Sequence, residues 1–227
     1  MSIHCNPKII SNNLFTYLDA ANQKSYPKFG PTIWGDMSNR ENHFSMWGNL
    51  INDSLAFNFV GNNTNYFSSE NFIHPTNELT IEMWLMPTAD TAGSAFYCFG
   101  SEDPVGVYHY MADQSNLTIF GPNQSVQTGI SILGNTWKHV VRTSLRSTGT
   151  EKIYINGVLE YSTTLSPSVM FNQVGYILLG QKFDSAGFLD SAYSYDGKMS
   201  IFKLYNKVLN EDEVKQNFIA LKGRFNI

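Results

Sequence analysis

A pair of carboxylates could give this chain a hydrolytic activity, because two carboxyl groups about 5 Å apart can hydrolyse a glycosidic bond with retention of the anomeric configuration. On a strand such a pair would occupy alternate positions, yet Glu82 is the single acidic residue of its apolar run. Glu102 and Asp103 precede a proline in a loop-like stretch, and the acidic residues at 211–213 suit the start of a helix. The sequence therefore predicts no catalytic carboxylate pair.

Nucleophilic and metal-binding motifs are also missing from the sequence. The five histidines are scattered, and no Gly-x-Ser-x-Gly turn, paired-histidine motif or Gly-rich phosphate loop accompanies them. Cys5 and Cys98 are too far apart in sequence for a zinc motif. Two separate thiols are favoured over a disulfide, which stays open. We predict no catalytic residue, no cofactor and no metal ligand from these motifs.

Aromatic residues beside amide and carboxylate side chains are the one pattern with a positive chemical meaning. An aromatic face can pack against a sugar ring while Asn, Asp or Gln bind its hydroxyl groups. Two predicted loops combine these types, and their candidate ligand-binding residues are Tyr108, Tyr110, Asp113, Asp190 and Tyr193. Because Tyr and Asn are also ordinary residues of strand surfaces and turns, a glycan site and a plain surface both stay open.

Short apolar runs, bounded by Gly, Pro, Asn or Asp, predict the strands that position these loops. The clearest run is 79–87, whose alternate residues face opposite sides. One face holds Leu79, Ile81, Met83 and Leu85, and the other holds Thr80, Glu82, Trp84 and Met86. Residues 137–161 predict a hairpin that ends on Asn156-Gly157, a strong turn signal. Further strands are predicted near 14–22, 55–60, 94–99, 107–111, 117–120, 176–180 and 198–205.

One helix is predicted near the end of the chain. Asn210 suits the N-cap position, and Glu213 completes a capping box three residues later. Val214, Phe218 and Leu221 then form a narrow apolar stripe. The many bounded strands and this single helix favour an antiparallel sandwich over alternating strands and helices.

Composition narrows the choice of partners. The formal net charge is −4, charged residues make up only 15% of the 227, and no basic run could neutralise several phosphates. No apolar stretch approaches the roughly 18 residues that cross a bilayer, and the N-terminus lacks the features of a signal peptide. We therefore expect no nucleic-acid partner, no membrane insertion and synthesis in the cytoplasm.

Together these motifs resemble the laminin-G-like, concanavalin A-type jelly roll. The segment 137–161 is similar to its central hairpin, and Tyr205-Asn-Lys-Val-Leu209 before an acidic-capped helix is similar to its end. The resemblance implies an all-β, antiparallel two-sheet jelly-roll sandwich with a short C-terminal helix and a structural role for His139. It divides the chain into an N-terminal arm (1–13), a single domain (14–222) and a C-terminal tail (223–227).

Many proteins of this family bind calcium through acidic residues near two strands. The corresponding stretch 61–65 has no acid here, and Ser200 stands where the final strand would carry one. Asp19, Asp190 and Asp196 remain as oxygen ligands, although their ordinary role is in turns. We predict no tight calcium site at these positions.

Near its start the chain has Asp19-Ala-Ala-Asn22 before Ser25-Tyr-Pro27, and it ends with the segment from Gln216 to Phe225. Both segments resemble laminin-G-like proteins of tailed-phage virions. This resemblance implies a non-enzymatic structural or decoration protein of the head, fibre or tail, located in the virion and bound to other capsid or tail proteins. Contact with a host cell-surface glycan and formation of a homo-oligomer stay open. The alternative is a carbohydrate-binding lectin or adhesion module of a cellular organism, and an enzyme on this fold ranks third.

Overall fold

The computed structural model describes residues 7–62, 64–75, 77–89, 93–101, 107–121, 124–165, 174–183, 189 and 191–227. Within them the strands are β1 (Leu14–Asp19), β2 (Ile33–Trp34), β3 (Phe44–Trp47), β4 (Ile51–Asn52), β5 (Phe57–Val60), β6 (Tyr66–Ile73), β7 (Glu78–Pro87), β8 (Ala95–Ser101), β9 (Val107–Ala112), β10 (Thr118–Gly121), β11 (Gln124–Gln127), β12 (Lys138–Leu145), β13 (Thr150–Ile155), β14 (Val158–Thr164), β15 (Val174–Leu179) and β16 (Asp196–Tyr205). The helix α1 spans Glu211–Leu221, and short 3₁₀ segments span Ser191–Tyr193 and Lys222–Phe225.

The strands form two antiparallel sheets. Sheet A has the order β14-β13-β12-β7-β16-β5-β4, with β1 also paired to β16. Sheet B has the order β11-β10-β9-β8-β15-β6-β3-β2. In the described residues, the two sheets and the single short α-helix confirm the predicted jelly-roll sandwich, since apolar faces of antiparallel sheets are buried by packing together.

The main core lies between the inner faces of the sheets. β7 contributes Ile81, Met83 and Leu85, which are fully buried, as the alternation of its sequence predicted. Phe67 of β6 and Ile177 of β15 belong to the same cluster from the side of sheet B. Burying each such side chain contributes about 1.5–3 kcal/mol before the loss of conformational entropy is counted.

The predicted hairpin at 137–161 is confirmed. β12 and β13 pair from Val140–Ile155 to Leu145–Thr150. Asn156 and Gly157 then turn the chain into β14 with φ of 52° and 79°. Both angles lie in the left-handed region, which Asn and Gly adopt at low cost, so this dipeptide sets the turn.

The outer face of sheet A is covered by the C-terminal segment. α1 begins at a full capping box, because Asn210 and Glu213 each accept the other's backbone N–H. Trp84 stacks on Phe225 of the following 3₁₀ segment, with ring centroids 4.1 Å apart, and on Phe218 of α1 at 6.0 Å. The chain divisions predicted at 13 and 222 stay predictions, although residues 222–225 pack on the domain.

A buried charge cluster lies beneath α1. Glu82 Oε1 accepts a hydrogen bond from Lys203 Nζ at 2.7 Å and lies 3.2 Å from His139 Nε2. Glu82 Oε2 accepts from the amide of Asn217 in α1 at 2.6 Å. Burial alone would raise the pKa of Glu82, but Lys203 and His139 outweigh it and lower that pKa to about 2. The cluster thus ties the helix to sheet A, and His139 has the structural position that was predicted for it.

A second polar cluster crosses the core between the sheets. Arg142 of sheet A binds Glu151 at 2.8 Å, and it donates to the backbone carbonyls of Tyr110 and Phe120 in sheet B. Tyr97 accepts a further bond from the same guanidinium at 3.2 Å. Arg142 is fully buried, so these bonds satisfy a charge that would otherwise be costly there. They also fix the distance between sheet A and the strands β9 and β10 of sheet B.

We expect Lys203→Met to lower the free energy of unfolding by about 3 kcal/mol or more, because it leaves the Glu82 carboxylate buried without its ammonium partner. The matched control is Lys198→Met on the same strand, which breaks a half-exposed pair with Asp53 and costs less than about 1 kcal/mol. Urea unfolding measures both variants. Equal losses for the two would contradict the account of the buried cluster.

The same cluster predicts an acid-dependent loss of stability. The pKa of Glu82 falls from its ordinary 4.5 to about 2 in the folded protein, so its contribution is present above pH 4.5 and is lost as the pH falls toward 2. The difference in unfolding free energy between the native protein and Glu82→Gln should shrink by about 2 kcal/mol from about pH 6 to about pH 3. A difference that stays constant over this range would contradict the assignment.

Candidate functional site

The outer face of sheet B carries an open groove across β3, β6 and β15. Two adjoining cavities of about 270 Å³ and about 530 Å³ form it, and they share Trp47, Ser68, Glu70 and Asn71. We call it the outer groove, with walls formed by Trp47, Tyr66, Ser68, Glu70, Asn71 and Tyr176. Its size and its mixture of aromatic and polar groups are those of a small-molecule site.

Trp47 and Tyr66 form a flat aromatic surface at one end of the groove. The two residues are directly paired across β3 and β6, and their rings stack at 5.8 Å with an interplanar angle of 12°. Trp47 Nε1 donates to Ser68 Oγ at 2.7 Å, which fixes the indole orientation. Trp47 nevertheless remains 46% exposed, so the ring is held in place while much of its surface contacts solvent.

The chain turns sharply just after Trp47. Gly48 has a φ of +74°, and a side chain there would meet the Thr64 carbonyl oxygen at 2.3 Å. Asn65 supports the turn by accepting a bond from the backbone N–H of Asn49 at 2.9 Å. Glycine is therefore required at this position, and it lets β3 end with Trp47 at the surface.

A β-bulge places two polar side chains beside the aromatic pair. Glu70 and Asn71 of β6 together face the single residue Tyr176 of β15, because the register shifts between Gly175 and Ile177. Asn71 adopts a φ of +54°, and both side chains are exposed. Bulges of this kind redirect side chains, and here they give the groove a carboxylate and an amide. Burial and the negative charge of Glu70 raise the pKa of Tyr66.

Tyr176 forms the far wall of the groove. A side chain at Gly100 would meet the Tyr176 ring at 2.2 Å, so the ring lies directly on the backbone of β8. The ring also packs edge to face against Phe183, at 4.7 Å between centroids. The missing side chain at Gly100 thus lets Tyr176 lie flat and keeps the groove open.

Some of the predicted ligand-binding residues meet beyond this wall, around Lys182. The Lys182 ammonium lies 3.3 Å from the ring centroid of Tyr193 and 5.1 Å from that of Tyr110. Tyr110 also stacks on Phe120 at 3.9 Å. One residue from each predicted loop therefore joins this group, which we call the Lys182 cluster (Lys182, Tyr110, Phe120 and Tyr193).

Of the remaining predicted residues, Asp113 is the one whose side chain the structure describes. Asp113 has a φ of +65° and accepts a bond from the backbone N–H of Gly93, as a turn residue does. Asp190 and the side chain of Tyr108 lie outside the described residues. Glycan contact through any of the five predicted residues stays a prediction.

The sequence analysis did not identify the outer groove. β3 and β6 were not predicted as strands, and Trp47 was not among the candidate residues. A Trp followed by a Gly was the only signal in the sequence, because the pairing of Trp47 with Tyr66 joins residues that are distant along the chain. The bulge at Glu70 and Asn71 likewise depends on the register of a neighbouring strand.

Asp190 lies outside the described residues, and the other residues considered for calcium have protein partners. Asp19 accepts two bonds from Arg224, each of 2.8 Å, and Asp196 accepts one from Thr88. Ser200 donates to the backbone carbonyl of Leu55. In the described part of the chain, no group of three or more His, Cys, Asp or Glu residues is arranged to hold a metal ion.

Cys98 is buried on sheet B, and burial raises the pKa of its thiol to about 12. Cys5 lies outside the described residues, as do Glu102 and Asp103, so the pairing of the two cysteines stays open. Among the described helices, none is long and apolar enough to cross a membrane.

Comparison with known proteins places the chain in a family. Residues 61–215, more than half of the chain, match the model of the laminin-G-like group described as the concanavalin A-like lectin/glucanases superfamily. The chain is also similar to C-reactive protein 1.4 of Limulus polyphemus, with 32% identity over 97 residues. That similarity covers 41% of this chain and 40% of the relative, so less than half of each protein takes part.

Solved structures show the same fold at low sequence identity. Domain 4 of the extracellular arabinanase AbnA from Geobacillus stearothermophilus, in complex with arabinotriose, has a TM-score of 0.66 and 18% identity, covering 90% of this chain and 98% of that one. The binding domain of botulinum neurotoxin DC, in complex with SialylT, has a TM-score of 0.68 and 14% identity, covering 93% and 52%. With the family match and the two-sheet architecture, these similarities lead to one conclusion: the chain belongs to the concanavalin A-like lectin/glucanases superfamily.

Proposed function

We propose that this protein is a glycan-binding module and that its ligand lies in the outer groove. The observation that carries the proposal is the stacked Trp47–Tyr66 pair, which is fixed by a hydrogen bond to Ser68 and still open to solvent. A sugar ring has apolar C–H faces that pack against such a surface. Its hydroxyl groups need donors and acceptors at the edge, which Asn71 and Glu70 supply.

An exposed tryptophan that is already ordered is well suited to binding. Its side chain offers a large contact area, and little conformational entropy remains to be lost when a ligand packs on it. The Gly48 turn, the Ser68 bond and the Tyr66 stack all restrict the indole before any ligand arrives. These features support a preformed site.

The comparisons support the same class of function. The arabinanase domain is described in complex with arabinotriose, and the neurotoxin binding domain in complex with SialylT. These ligands belong to those proteins, whose sequence identity to this chain is 18% and 14%. They support a saccharide ligand here because the fold is shared, and the position of the ligand is argued from this chain alone.

We propose binding without hydrolysis. Glu82, the acidic residue at the centre of β7, is fully buried under α1 and bonded to Lys203 and Asn217. A carboxylate held in this way cannot reach a sugar in the outer groove, which lies on the other sheet. Glu41 and Glu70 line the groove, and we assign them to ligand contact and selectivity.

Location in a phage virion, with capsid or tail proteins as partners, stays a prediction from the resemblance of the chain ends. Glycan binding is compatible with that location and equally with a lectin or adhesion module of a cell. Mass spectrometry of purified virions from a phage that encodes the protein tests the location. Its absence there, together with saturable glycan binding, would favour the cellular module.

Trp47→Ala should weaken saccharide binding at least about tenfold, because it removes the surface on which the ring packs. The measurement is a glycan array followed by titration calorimetry with the best ligand. Val158→Ala is the control, since Val158 is an exposed apolar residue on the edge strand β14 of sheet A. Equal affinity for the native protein and Trp47→Ala would contradict the site. A further variant, Tyr193→Ala, reports whether the ligand also contacts the Lys182 cluster.

Asn71→Gly separates the amide of Asn71 from its backbone conformation. Glycine adopts the φ of +54° freely, so we expect a weaker affinity with little change in the free energy of unfolding. Asn71→Ala should lose affinity and in addition about 1 kcal/mol of stability, because alanine is strained at that angle. Full affinity in both variants would show that the amide makes no contact with the ligand.

A further inference from the structure

We propose that the outer groove selects uncharged saccharides and discriminates against those that carry a carboxylate, such as uronic or sialic acids. The inference rests on the proposed glycan-binding function and names the class of ligand. It follows from the charges that line the groove and from the contacts that cations of neighbouring segments make.

The charged side chains in the walls are acidic. Glu70 stands beside the aromatic pair and Glu41 lines the wider cavity, while no Lys or Arg lines either cavity within the described residues. An acidic sugar stacked on Trp47 would bring its carboxylate toward that of Glu70. Recognition of a carboxylate normally uses Arg or Lys, and neither residue type is among the described residues of these walls.

His43 lines the wider cavity with one ring nitrogen already bonded. Its Nδ1 accepts a hydrogen bond of 3.0 Å from the backbone N–H of Asp36. With Nδ1 accepting, Nε2 is the ring nitrogen that can donate, and a sugar hydroxyl is a suitable acceptor for it.

Three described cations from neighbouring segments each contact an aromatic ring. The Arg40 guanidinium lies over the Phe15 ring at 5.3 Å, and the Lys28 ammonium lies over Phe29 at 4.9 Å. Lys182 lies 3.3 Å from the Tyr193 ring centroid and is only 9% exposed. Arg40 and Lys28 are exposed and line neither cavity, so solvent and salt weaken their fields at the ligand, whereas Glu70 lines both cavities and would lie beside it.

Neutral sugars avoid the resulting repulsion. Their hydroxyl groups donate to the Glu70 carboxylate and accept from the Asn71 amide, so both groups can form hydrogen bonds with a neutral ligand. The weaker binding of an acidic ligand comes from repulsion between its carboxylate and that of Glu70, and both groups are partly exposed to solvent. This repulsion should therefore decrease as salt is added.

The experiment measures a ratio of affinities for paired ligands. Neutral oligosaccharides are tested beside their sialylated and glucuronate-bearing counterparts by array and calorimetry, at low and high salt. We expect the acidic member of a pair to bind at least about tenfold more weakly at low salt, with a smaller gap at high salt. Glu70→Gln removes the repelling charge. It should therefore lower the ratio of neutral to acidic affinity at least about threefold, whatever its effect on the neutral ligand.

Glu160→Gln is the matched control, because it removes the same charge from the exposed edge strand β14 of sheet A. It should leave the ratio unchanged. Acidic ligands that bind as well as neutral ones, with dependence on Trp47, would overturn the selectivity but leave the proposed function intact. An unchanged ratio in Glu70→Gln would also overturn it. Failure of every saccharide to bind would overturn the proposed function itself.

Discussion

The buried pair of Glu82 and Lys203 is the interaction on which the arrangement of this molecule depends. Both groups are fully buried on the outer face of sheet A, where they would be unstable without a cover. α1 supplies the cover, and its Asn217 completes the bonding of the carboxylate. The helix therefore packs against sheet A. The opposite outer face, on sheet B, keeps an open groove.

The groove owes its shape to local departures from regular strand structure. Gly48 ends β3 in a tight turn behind Trp47, and the bulge at Glu70 and Asn71 brings two polar side chains to one point. Gly100 lets Tyr176 lie flat on β8. The bonds from Arg142 to the backbone of β9 and β10 join sheet B to sheet A elsewhere in the sandwich. Such rigidity is what a preformed binding surface requires.

Sequence reasoning succeeded where the signals are local and failed where they are not. The Asn156-Gly157 turn, the capping box at Asn210 and the alternation of β7 each depend on residues close in sequence, and all three were predicted. The Trp47–Tyr66 stack and the bulge of β6 depend on the register between strands, which the sequence does not display. Of the predicted site residues, Tyr110 and Tyr193 meet around Lys182, a contact that only the folded chain reveals.

The central claim is that a saccharide packs on Trp47, and nuclear magnetic resonance of the indole N–H groups tests it most directly. Trp84 provides an internal control, because it is fully buried beneath Phe225 on the other sheet. On titration with a neutral oligosaccharide, the account predicts a saturable shift of the Trp47 indole signal while the Trp84 signal stays in place. Saturable binding that leaves the Trp47 signal unmoved would contradict it.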